Sequence, residues 1–347
     1  MDYSFIVPVY NRPDEVDELL QSLCRQTSEN FEVIIVEDGS VVPCKDVCLK
    51  YADRLDLHYY AKPNSGPGQS RNYGAERAHG EWLIVLDSDV VLPDGYLEAV
   101  SNAQLAASGV DCFGGPDAAH ESFTPVQKAI SYAMTSFFTT GGIRGGKGRK
   151  MDKFYPRSFN MGIRRDVYLE LGGFSKMRFG EDIDFSYRIV EAGYRTQLLP
   201  DAWVWHKRRT DFRKFFRQVY NSGIARINLE KRHPGTLKLV HLLPTVFTVG
   251  VFALILISAV GRALMHYVDA DRFYWMCFAP WIPILLYSGV ILVDSTLKNR
   301  SLRVGLLSVP AAFTQLMGYG LGFIESWWKR CVRGHDEFTA FEKNFYK

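Results

Sequence analysis

The sequence lacks the cysteine spacing expected of a disulfide-rich or zinc-binding protein. Its 347 residues include six cysteines, and only Cys44 and Cys48 lie close together. No second pair of cysteines or histidines lies nearby in the sequence to complete a tetrahedral zinc site. The simplest interpretation is that the thiols are free and that the protein resides in a reducing compartment.

A strong net charge and an N-terminal export signal are also missing. The formal net charge is +3, which is too small to indicate a nucleic-acid partner by itself. Met1 leads almost directly into a strand-like run, without the charged and apolar regions of a signal peptide. We therefore expect no nucleic-acid partner, and we expect the first domain to stay in the cytoplasm.

What the sequence does contain is an uneven distribution of hydrophobic residues. They make up 47% of the chain, yet the mean hydropathy is only −0.09. The long apolar runs lie between Leu242 and Ile324, whereas the first two thirds of the chain mix apolar and charged residues. This division predicts a cytoplasmic α/β domain at residues 1–235, a membrane region at 236–325 and a basic, aromatic tail at 326–347.

Short apolar runs alternate with helix-like segments throughout the first domain. The runs predicted to be strands are Tyr3–Tyr10, Phe31–Val36, Leu57–Tyr60, Trp82–Leu86, Val110–Gly114, Phe159–Ile163 and Thr196–Trp205. Helix-like segments between them include Gly68–Ala78, Asp94–Leu105, Gln127–Thr139 and Glu181–Ala192. This alternation predicts an α/β fold with a mainly parallel sheet and helices on both faces, in which ligands bind at the carboxyl ends of the strands.

Asp87-Ser88-Asp89 follows the fourth predicted strand and offers two carboxylates to one pocket. Carboxylate oxygens are ligands that suit Mg²⁺ or Mn²⁺, commonly together with substrate phosphates. A metal bound there would neutralise charge on a departing nucleotide diphosphate. The alternative is a polar turn before a helix capped by Asp94, and the motif alone does not distinguish the two.

A second acidic cluster, Glu181, Asp182 and Asp184, follows Gly180 at the start of a predicted helix. The helix dipole favours ionised carboxylates at that end. An ionised carboxylate can accept a proton from an attacking hydroxyl group. The alternative is ordinary helix capping, in which Asp184 forms a surface ion pair with Arg188.

Two glycine-containing segments have features of phosphate-binding loops. Residues 64–72 lead into a predicted helix, but Arg71 stands where a dinucleotide-binding fingerprint has its third glycine. Residues 141–148 have the glycine and lysine spacing of a phosphate loop, but Gly148 replaces the Ser or Thr and no predicted strand precedes them. For the second segment we expect a mobile loop that orders over the donor or acceptor.

Taken in order, the two acidic motifs, the first glycine segment and three further segments resemble the family-two glycosyltransferases with the GT-A fold. The matching segments are Ile6-Val7-Pro8-Val9-Tyr10-Asn11-Arg12, Val36-Glu37-Asp38-Gly39-Ser40, the spaced residues of 64–74, Asp87-Ser88-Asp89, Asn160-Met161-Gly162-Ile163-Arg164 and Gly180-Glu181-Asp182. Each segment is unspecific by itself, whereas six in this order favour the catalytic interpretation of both acidic motifs. The resemblance covers roughly Ser4 to His206 and implies a Rossmann-like sheet flanked by helices.

The resemblance also implies a nucleotide-sugar site at the strand ends. Its expected members are Pro8, Tyr10, Asn11, Arg12, Asp38, Gly68, Arg71, Asp87 and Ser88. Among these, Asp38 would bind the nucleobase, expected to be uracil, and Arg71 would lie near the base or the phosphates. Asp89 would bind the metal, with Asp87 in the ribose or metal region and His206 as a further ligand.

The same resemblance implies roles on the acceptor side. Asn160 and Gly162 would shape the acceptor site. Asp182 would be the general base, and Glu181 would position the acceptor or the donor sugar. Single displacement by the acceptor hydroxyl would invert the anomeric configuration.

Two departures from the family pattern refine the prediction. Glu37 stands where the family commonly has Asp, which is a conservative difference. The Gln-x-x-Arg-Trp signature of the processive polymerases is missing after His206. This absence favours transfer of one or a few sugars over synthesis of a polymer.

Three apolar runs are each long enough to cross a bilayer, which takes about 20 residues. They are Leu242–Val260, Tyr274–Val293 and Val304–Ile324. Tryptophans lie near their predicted ends, as aromatic residues do at membrane interfaces. The sequence therefore predicts a C-terminal membrane region, and a buried soluble core is the alternative for these runs.

The distribution of basic residues predicts the orientation of this membrane region. A stretch rich in Lys and Arg runs from Lys207 to Lys238, and the positive-inside rule places it, with the first domain, on the cytoplasmic face of the inner membrane. Three full crossings would put Lys329, Arg330 and Arg333 on the opposite side, against the same rule. One segment could instead be re-entrant or interfacial, and the sequence leaves the topology open.

Together these features predict an inverting, metal-dependent transferase that uses Mg²⁺ or Mn²⁺. The donor would be a nucleotide sugar, expected to be a UDP-sugar, and the acceptor a hydroxyl of a glycan or polyprenyl-linked molecule at the membrane. One alternative is a polyprenyl-phosphate sugar synthase, whose acceptor is the lipid phosphate itself. A second alternative, from a different class, is a nucleotide-binding membrane protein without catalysis.

Overall fold

A computed structural model describes residues 1–27, 30–103, 105, 107–118, 123–140, 154–177, 179–207, 209–268 and 274–338. They fall into two compact units. Residues 1–121 and 148–207 belong to the first unit, and residues 122–147 and 208–345 belong to the second. The loop predicted at 141–148 lies outside the described residues, so its predicted mobility stays a prediction.

The strands and helices are numbered here in chain order. The strands are β1 (Tyr3–Val9), β2 (Phe31–Asp38), β3 (Asp56–Lys62), β4 (Trp82–Leu86), β5 (Val90–Val91), β6 (Cys112–Gly114), β7 (Asp117–Ala118), β8 (Asn160–Arg164), β9 (Thr196–Leu198) and β10 (Val204–His206). The helices are α1 (Pro13–Leu23), α2 (Lys45–Leu49), α3 (Pro67–Ala75), α4 (Tyr96–Asn102), α5 (Pro125–Thr135), α6 (Phe137–Thr140), α7 (Arg165–Glu170), α8 (Glu181–Glu191), α9 (Phe212–Arg232), α10 (Leu243–Val268), α11 (Tyr274–Phe278), α12 (Ile282–Asn299) and α13 (Leu302–Trp327).

The first unit is built on a seven-stranded sheet in the order β3-β2-β1-β4-β8-β6-β9. Strands β3, β2, β1 and β4 are parallel, β8 is antiparallel to β4 and to β6, and β9 is parallel to β6. This confirms the predicted α/β fold with a mainly parallel sheet. Because four neighbouring strands run the same way, their carboxyl ends share one edge of the sheet, where ligands bind in such folds.

Hydrophobic cores cover both faces of the sheet, as expected for buried parallel strands. Side chains alternate along β1, so Phe5 and Val7 pack on one face with Leu19 of α1. Ile6 packs on the other face with Phe185 of α8.

The prediction of a single strand at Thr196–Trp205 is wrong. It is two strands in different sheets: β9 pairs with β6 in the main sheet, and β10 lies between β5 and β7 in a separate three-stranded sheet. Pro200 lies between them, and a proline cannot donate a ladder hydrogen bond, which ends a strand. The break has a functional consequence, because β10 places His206 opposite Val90, next to Asp89.

The second unit is helical. Three helical segments are long and apolar enough to cross a membrane, Leu239–Tyr267, Tyr274–Asn299 and Leu302–Val332. They coincide with the three predicted apolar runs. The predicted helix Gln127–Thr139 is corrected to two helices, α5 and α6, because the backbone of Ser136 is extended between them.

Candidate active site

The polar residues singled out in the sequence cluster beyond the carboxyl ends of the parallel strands. Asn11 and Arg12 follow β1, Asp38 ends β2, and Asp87 follows β4. His206 ends β10, in the smaller sheet. Strands from both sheets therefore supply side chains to one cleft of the first unit.

Asp87, Asp89 and His206 form a compact group of candidate metal ligands. One ligand atom from each lies within 4.8 Å of the others, and no other such group occurs in the part of the chain that the structure describes. His206 Nε2 lies 3.3 Å from Asp89 Oδ1 and 3.9 Å from Asp87 Oδ2. Two carboxylates and an imidazole suit Mn²⁺ or Mg²⁺, so the residues present fit the predicted cation.

The imidazole of His206 is held in place from two directions. The ring of Phe159 stacks on it, with centroids 5.0 Å apart. Asp117 Oδ2 lies 3.8 Å from His206 Nδ1. Burial disfavours the charged imidazole, but the carboxylates of Asp89 and Asp117 outweigh burial and raise the pKa of His206 to about 9. The electrostatic potential at this group therefore favours a cation.

Asp89 also forms an ion pair with the guanidinium of Arg12. Burial opposes the charge on Arg12, but the interaction with Asp89 prevails and raises the pKa of Arg12 above its usual value. Asp89 thus lies between a fixed positive charge and His206. Ser88, between the two metal-ligand candidates, is buried.

Arg71 connects the two acidic motifs. Its Nη2 lies 2.6 Å from Asp87 Oδ1, and its Nη1 lies 3.3 Å from Glu181 Oε1. Arg71 is only 3% exposed, and its guanidinium lies over the ring of Phe174, 5.2 Å from the ring centroid. Carboxylates that are 94 positions apart in the sequence, counted from Asp87 to Glu181, therefore meet at one buried arginine, and the two motifs face a single cleft.

The adjacent carboxylates Glu181 and Asp182 have opposite environments. Burial and the charge of Asp182 raise the pKa of Glu181 to about 7, in spite of Arg71. Burial acts in the same direction on Asp182, but the ion pair with Arg157, at 2.5 Å, outweighs burial and lowers the pKa of Asp182. Asp182 is therefore the more readily ionised of the two. The predicted ion pair between Asp184 and Arg188 is also present, at 3.2 Å.

Asp38 is buried and organises the loop that precedes α3. Its carboxylate accepts hydrogen bonds of 2.9 Å from the backbone N–H groups of Ser65 and Gly66 and pairs with the ammonium of Lys62. The neighbouring Glu37 accepts from the Cys44 backbone N–H at 2.7 Å. The longer side chain of Glu37 therefore anchors the loop after β2, while Asp38 faces the loop after β3.

Asn11 joins the loops after β1 and β2. Its backbone adopts a left-handed conformation, with φ of 53°, which asparagine tolerates better than most residues. Its side-chain oxygen accepts from the N–H groups of Val41 and Val42 at 2.8 and 3.0 Å. Pro8 is buried within β1, and Tyr10 is half-buried after it.

Asn160 and Gly162 lie inside the sheet on β8. The side chain of Asn160 is fully buried, accepts from the Tyr96 hydroxyl at 2.7 Å and donates to the Ala202 carbonyl at 2.8 Å. A Cβ atom added to Gly162 would lie 1.9 Å from the ring of Phe113. Both residues have clear packing roles, and their predicted acceptor-side roles stay predictions.

Gly68 permits a close approach between α3 and α8. A Cβ atom added to it would lie 3.2 Å from Phe174 Cβ and 3.4 Å from Glu181 Cγ. A larger side chain at this position would press on the acidic motif. Gly68 therefore helps to place Glu181 beside Arg71.

Sequence reasoning missed several residues that complete the cleft. They are Lys62, Asp117, Arg157 and Phe159. Each acts through a contact with a residue at least 24 positions away, and none lies in a recognisable motif. Only the fold brings these partners together.

Comparison with known proteins gives independent evidence of the family to which the chain is similar. The family model described as Glycosyl transferase family 2 matches residues 4–172. An uncharacterized glycosyltransferase of Haemophilus influenzae is 32% identical over 193 residues, which are 54% of this chain and 62% of that protein. A pre-mycofactocin glycosyltransferase of Mycobacterium tuberculosis is 28% identical over 250 residues, covering 67% of this chain and 48% of that protein. The matches therefore span about half to three fifths of the length of these relatives.

A solved structure shares the fold. The mannosyltransferase PcManGT from Pyrobaculum calidifontis, solved with GDP-Man and Mn²⁺, superposes with a TM-score of 0.58. The identity is 15%, and the match covers 94% of this chain and 87% of that chain. At this identity the likeness establishes a common fold.

Proposed function

Residues 4–172 of the chain belong to glycosyltransferase family 2, and from this premise we propose that the protein transfers a sugar from a nucleotide-sugar donor to a hydroxyl acceptor at a membrane. The proposed transfer is metal-dependent and inverts the anomeric configuration. The observation that carries the proposal is the meeting of the two acidic motifs at Arg71.

The residues proposed to hold the metal are Asp89, His206 and Asp87. Their two carboxylates and one imidazole lie within reach of one ion. A bound Mg²⁺ or Mn²⁺ supplies positive charge that offsets the charge developing on the departing nucleoside diphosphate. The fold neighbour solved with GDP-Man and Mn²⁺ is in line with this assignment.

Asp182 is proposed to act as the general base. The ion pair with Arg157 keeps its carboxylate ionised, so it can accept the proton of the acceptor hydroxyl. As the new bond forms between the acceptor oxygen and the anomeric carbon, the bond from that carbon to the nucleoside diphosphate breaks on the opposite face. Glu181 is proposed to position the acceptor or the donor sugar, beside Arg71.

The nucleotide is proposed to lie along the loops after β1, β2 and β3. Asp38 and Arg71 are proposed to face the nucleobase and the phosphates, with Asn11 holding the loops together. Uracil is the proposed base on the strength of the family resemblance. The acceptor is proposed to be a lipid-linked glycan on the cytoplasmic face of the inner membrane, as the basic residues before the apolar helices suggest.

The first test measures sugar transfer by Asp89→Ala and Asp182→Asn variants of the full chain. Loss of a metal-ligand carboxylate and loss of the base should each lower kcat by at least about 100-fold. Asp53→Ala, which removes an exposed carboxylate outside the cleft, is the matched control and should leave the rate unchanged. Wild-type rates from either site variant would refute the proposed roles.

The donor is identified by screening UDP-, GDP- and dTDP-sugars for binding and for metal-dependent hydrolysis. UDP-sugars are expected to bind most tightly. Removal of the lipid diphosphate from a candidate acceptor should abolish transfer, and unchanged activity would count against a lipid-linked acceptor.

A polyprenyl-phosphate sugar synthase is the second candidate function. Its acceptor would be a phosphate, which is already ionised and needs little help from a base. Asp182→Asn would then retain much of the activity, while Asp89→Ala would not. The same pair of variants therefore separates the two candidates.

A further inference from the structure

The third apolar helical segment is buried to a larger extent than the other two. In the most apolar 18 residues of Leu302–Val332, 44% of the residues are buried inside the structure. The corresponding shares are 11% for Leu239–Tyr267 and 6% for Tyr274–Asn299. A helix that crosses a bilayer beside few neighbours exposes most of its apolar surface to lipid. The first two segments have that property, and the third does not.

The main partner of the third segment is α9, a helix of very different composition. Its charged residues are Arg213, Lys214, Arg217, Arg226, Glu230, Lys231 and Arg232. They lie in its first two and last two turns, with none from Gln218 to Ala225. Asn221, Arg226 and Asn228 of the same helix are almost fully buried. Among the described helices, α9 is not one of the three that could cross a membrane.

Helices α9 and α13 run in the same direction where they pack, because residues 219–224 of α9 contact residues 318–326 of α13 in increasing order. A Cβ atom added to Gly318 would lie 2.5 Å from Val219, and Ser326 Oγ donates to the Ile224 carbonyl at 3.2 Å. A Cβ atom added to Gly322 would lie 2.0 Å from the Tyr220 carbonyl oxygen. Backbones this close move as one body, so α13 cannot enter the hydrocarbon without α9.

Polar contacts extend this pairing beyond the end of α13. Arg232 of α9 forms an ion pair with Glu337 at 2.8 Å, and Asn228 donates to the Phe338 carbonyl at 3.3 Å. The chain after α13 therefore stays beside the C-terminal end of α9.

We propose that α13 does not cross the bilayer but lies with α9 at the membrane surface, so that α10 and the segment of α11 and α12 form the crossing pair. The longest uncharged stretch of α9, residues 218–225, is far shorter than the roughly 20 residues needed for a crossing, and charged side chains are costly at hydrocarbon depth. Two crossings return the chain to its starting side. Lys329, Arg330 and Arg333 then lie on the same side as the basic residues of α9, as the positive-inside rule requires.

Tryptophans and basic residues at the end of α13 fit this placement. Trp327 and Trp328 are about half exposed, and Arg333 lies over the ring of Trp328 at 5.7 Å. Aromatic rings and cations are the side chains that partition to the headgroup region. The proposed partner of this surface is therefore the anionic headgroup layer, and the inference does not depend on the proposed chemistry.

An exposed native thiol gives a direct test, because Cys331 lies just after α13. A membrane-impermeant maleimide is applied to intact spheroplasts and to inverted membrane vesicles that contain the full chain. Labelling that is present in the wild type and absent from a Cys331→Ser variant is assigned to Cys331. In that variant background, Leu49→Cys marks the side of the first unit, and Tyr267→Cys marks the far end of α10, since both positions are exposed.

The expected result is that Cys331 and Leu49→Cys react from the same side and Tyr267→Cys from the other. Reaction of Cys331 from the side of Tyr267→Cys would show a third crossing and overturn the proposal. Reaction of Cys331 only after detergent is added would place it within the hydrocarbon and overturn the proposal as well.

Discussion

Arg157 and Asp182 form the contact on which the proposed base depends. The guanidinium favours the ionised carboxylate and lowers the pKa of Asp182, against the effect of burial. The neighbouring Glu181 has no such partner within 3 Å and has its pKa raised to about 7. One arginine thus separates the protonation behaviour of two adjacent acids.

Replacing Arg157 should change the pH dependence of transfer. In Arg157→Ala the pKa of Asp182 rises, so a larger fraction of the carboxylate is protonated at low pH and the acid limb of the kcat/KM profile moves to higher pH. Arg157→Lys keeps a positive charge and should move the limb back toward its wild-type position. An acid limb that is identical in all three proteins would show that Asp182 is not the group that titrates in catalysis.

At the residue scale, motifs were predictable and their partners were not. The acids of Asp87-Ser88-Asp89 and Glu181-Asp182 carry signatures that can be recognised locally. Arg157 carries none, because a basic residue in an irregular segment is common and its partner lies 25 positions away. Recognition of such a pair needs the tertiary fold.

At the scale of elements, the contact between α9 and α13 depends on glycine. The Tyr220 carbonyl oxygen occupies the space where a side chain at Gly322 would begin. Small residues allow two helix backbones to approach this closely. Gly318 and Gly322 therefore mark the interface of α13 with α9.

Gly322→Ala should destabilise the second unit. The added methyl group would lie 2.0 Å from a backbone oxygen, which forces the helices apart and should cost about 1–3 kcal/mol. Gly250→Ala is the matched control, because nothing lies within 4 Å of the added Cβ atom and alanine favours a helix. The stability of both variants is measured by thermal unfolding of the detergent-solubilised chain. Equal unfolding midpoints for the two variants would contradict the proposed close packing.

Element boundaries were harder to predict where a strand changes sheets. The run from Thr196 to Trp205 is predicted as one strand from its apolar residues, yet it contains Pro200 and divides around it into β9 and β10. Hydrophobic content reports burial and does not say in which sheet a strand is buried. The error matters, because β10 places His206 beside the other two metal-ligand candidates, Asp87 and Asp89.

At the scale of the whole molecule, metal and nucleotide should stabilise the fold together. A ligand that binds only the folded state at 100 times its Kd adds about 2.7 kcal/mol of stability. Thermal unfolding with Mn²⁺ and UDP should therefore give a higher midpoint than unfolding with UDP and a chelator. Asp89→Ala should lose this difference while its midpoint without metal stays close to that of the wild type. A metal-dependent shift that persists in Asp89→Ala would place the cation elsewhere.

The general organisation was predictable from the sequence because it depends on patterns that repeat. The alternation of strands and helices predicted the mainly parallel sheet, and three long apolar runs predicted the helices that could cross a membrane. The sequence left open which of the three segments lies at the surface, because the apolar length of α13 resembles that of α10. Lower mean hydropathy, 1.3 against 2.3, and greater burial, 44% against 11%, distinguish its segment from that of α10.

The pairing of Arg12 with Asp89 has a consequence for the order in which ligands enter. A guanidinium and a divalent ion would compete for the same carboxylate, so a cation that binds alone would meet a positive charge already paired with Asp89. The diphosphate of the proposed nucleotide donor would offer Arg12 an alternative counter-ion. Affinity for the metal should therefore rise when nucleotide is present, and the two would load as a pair.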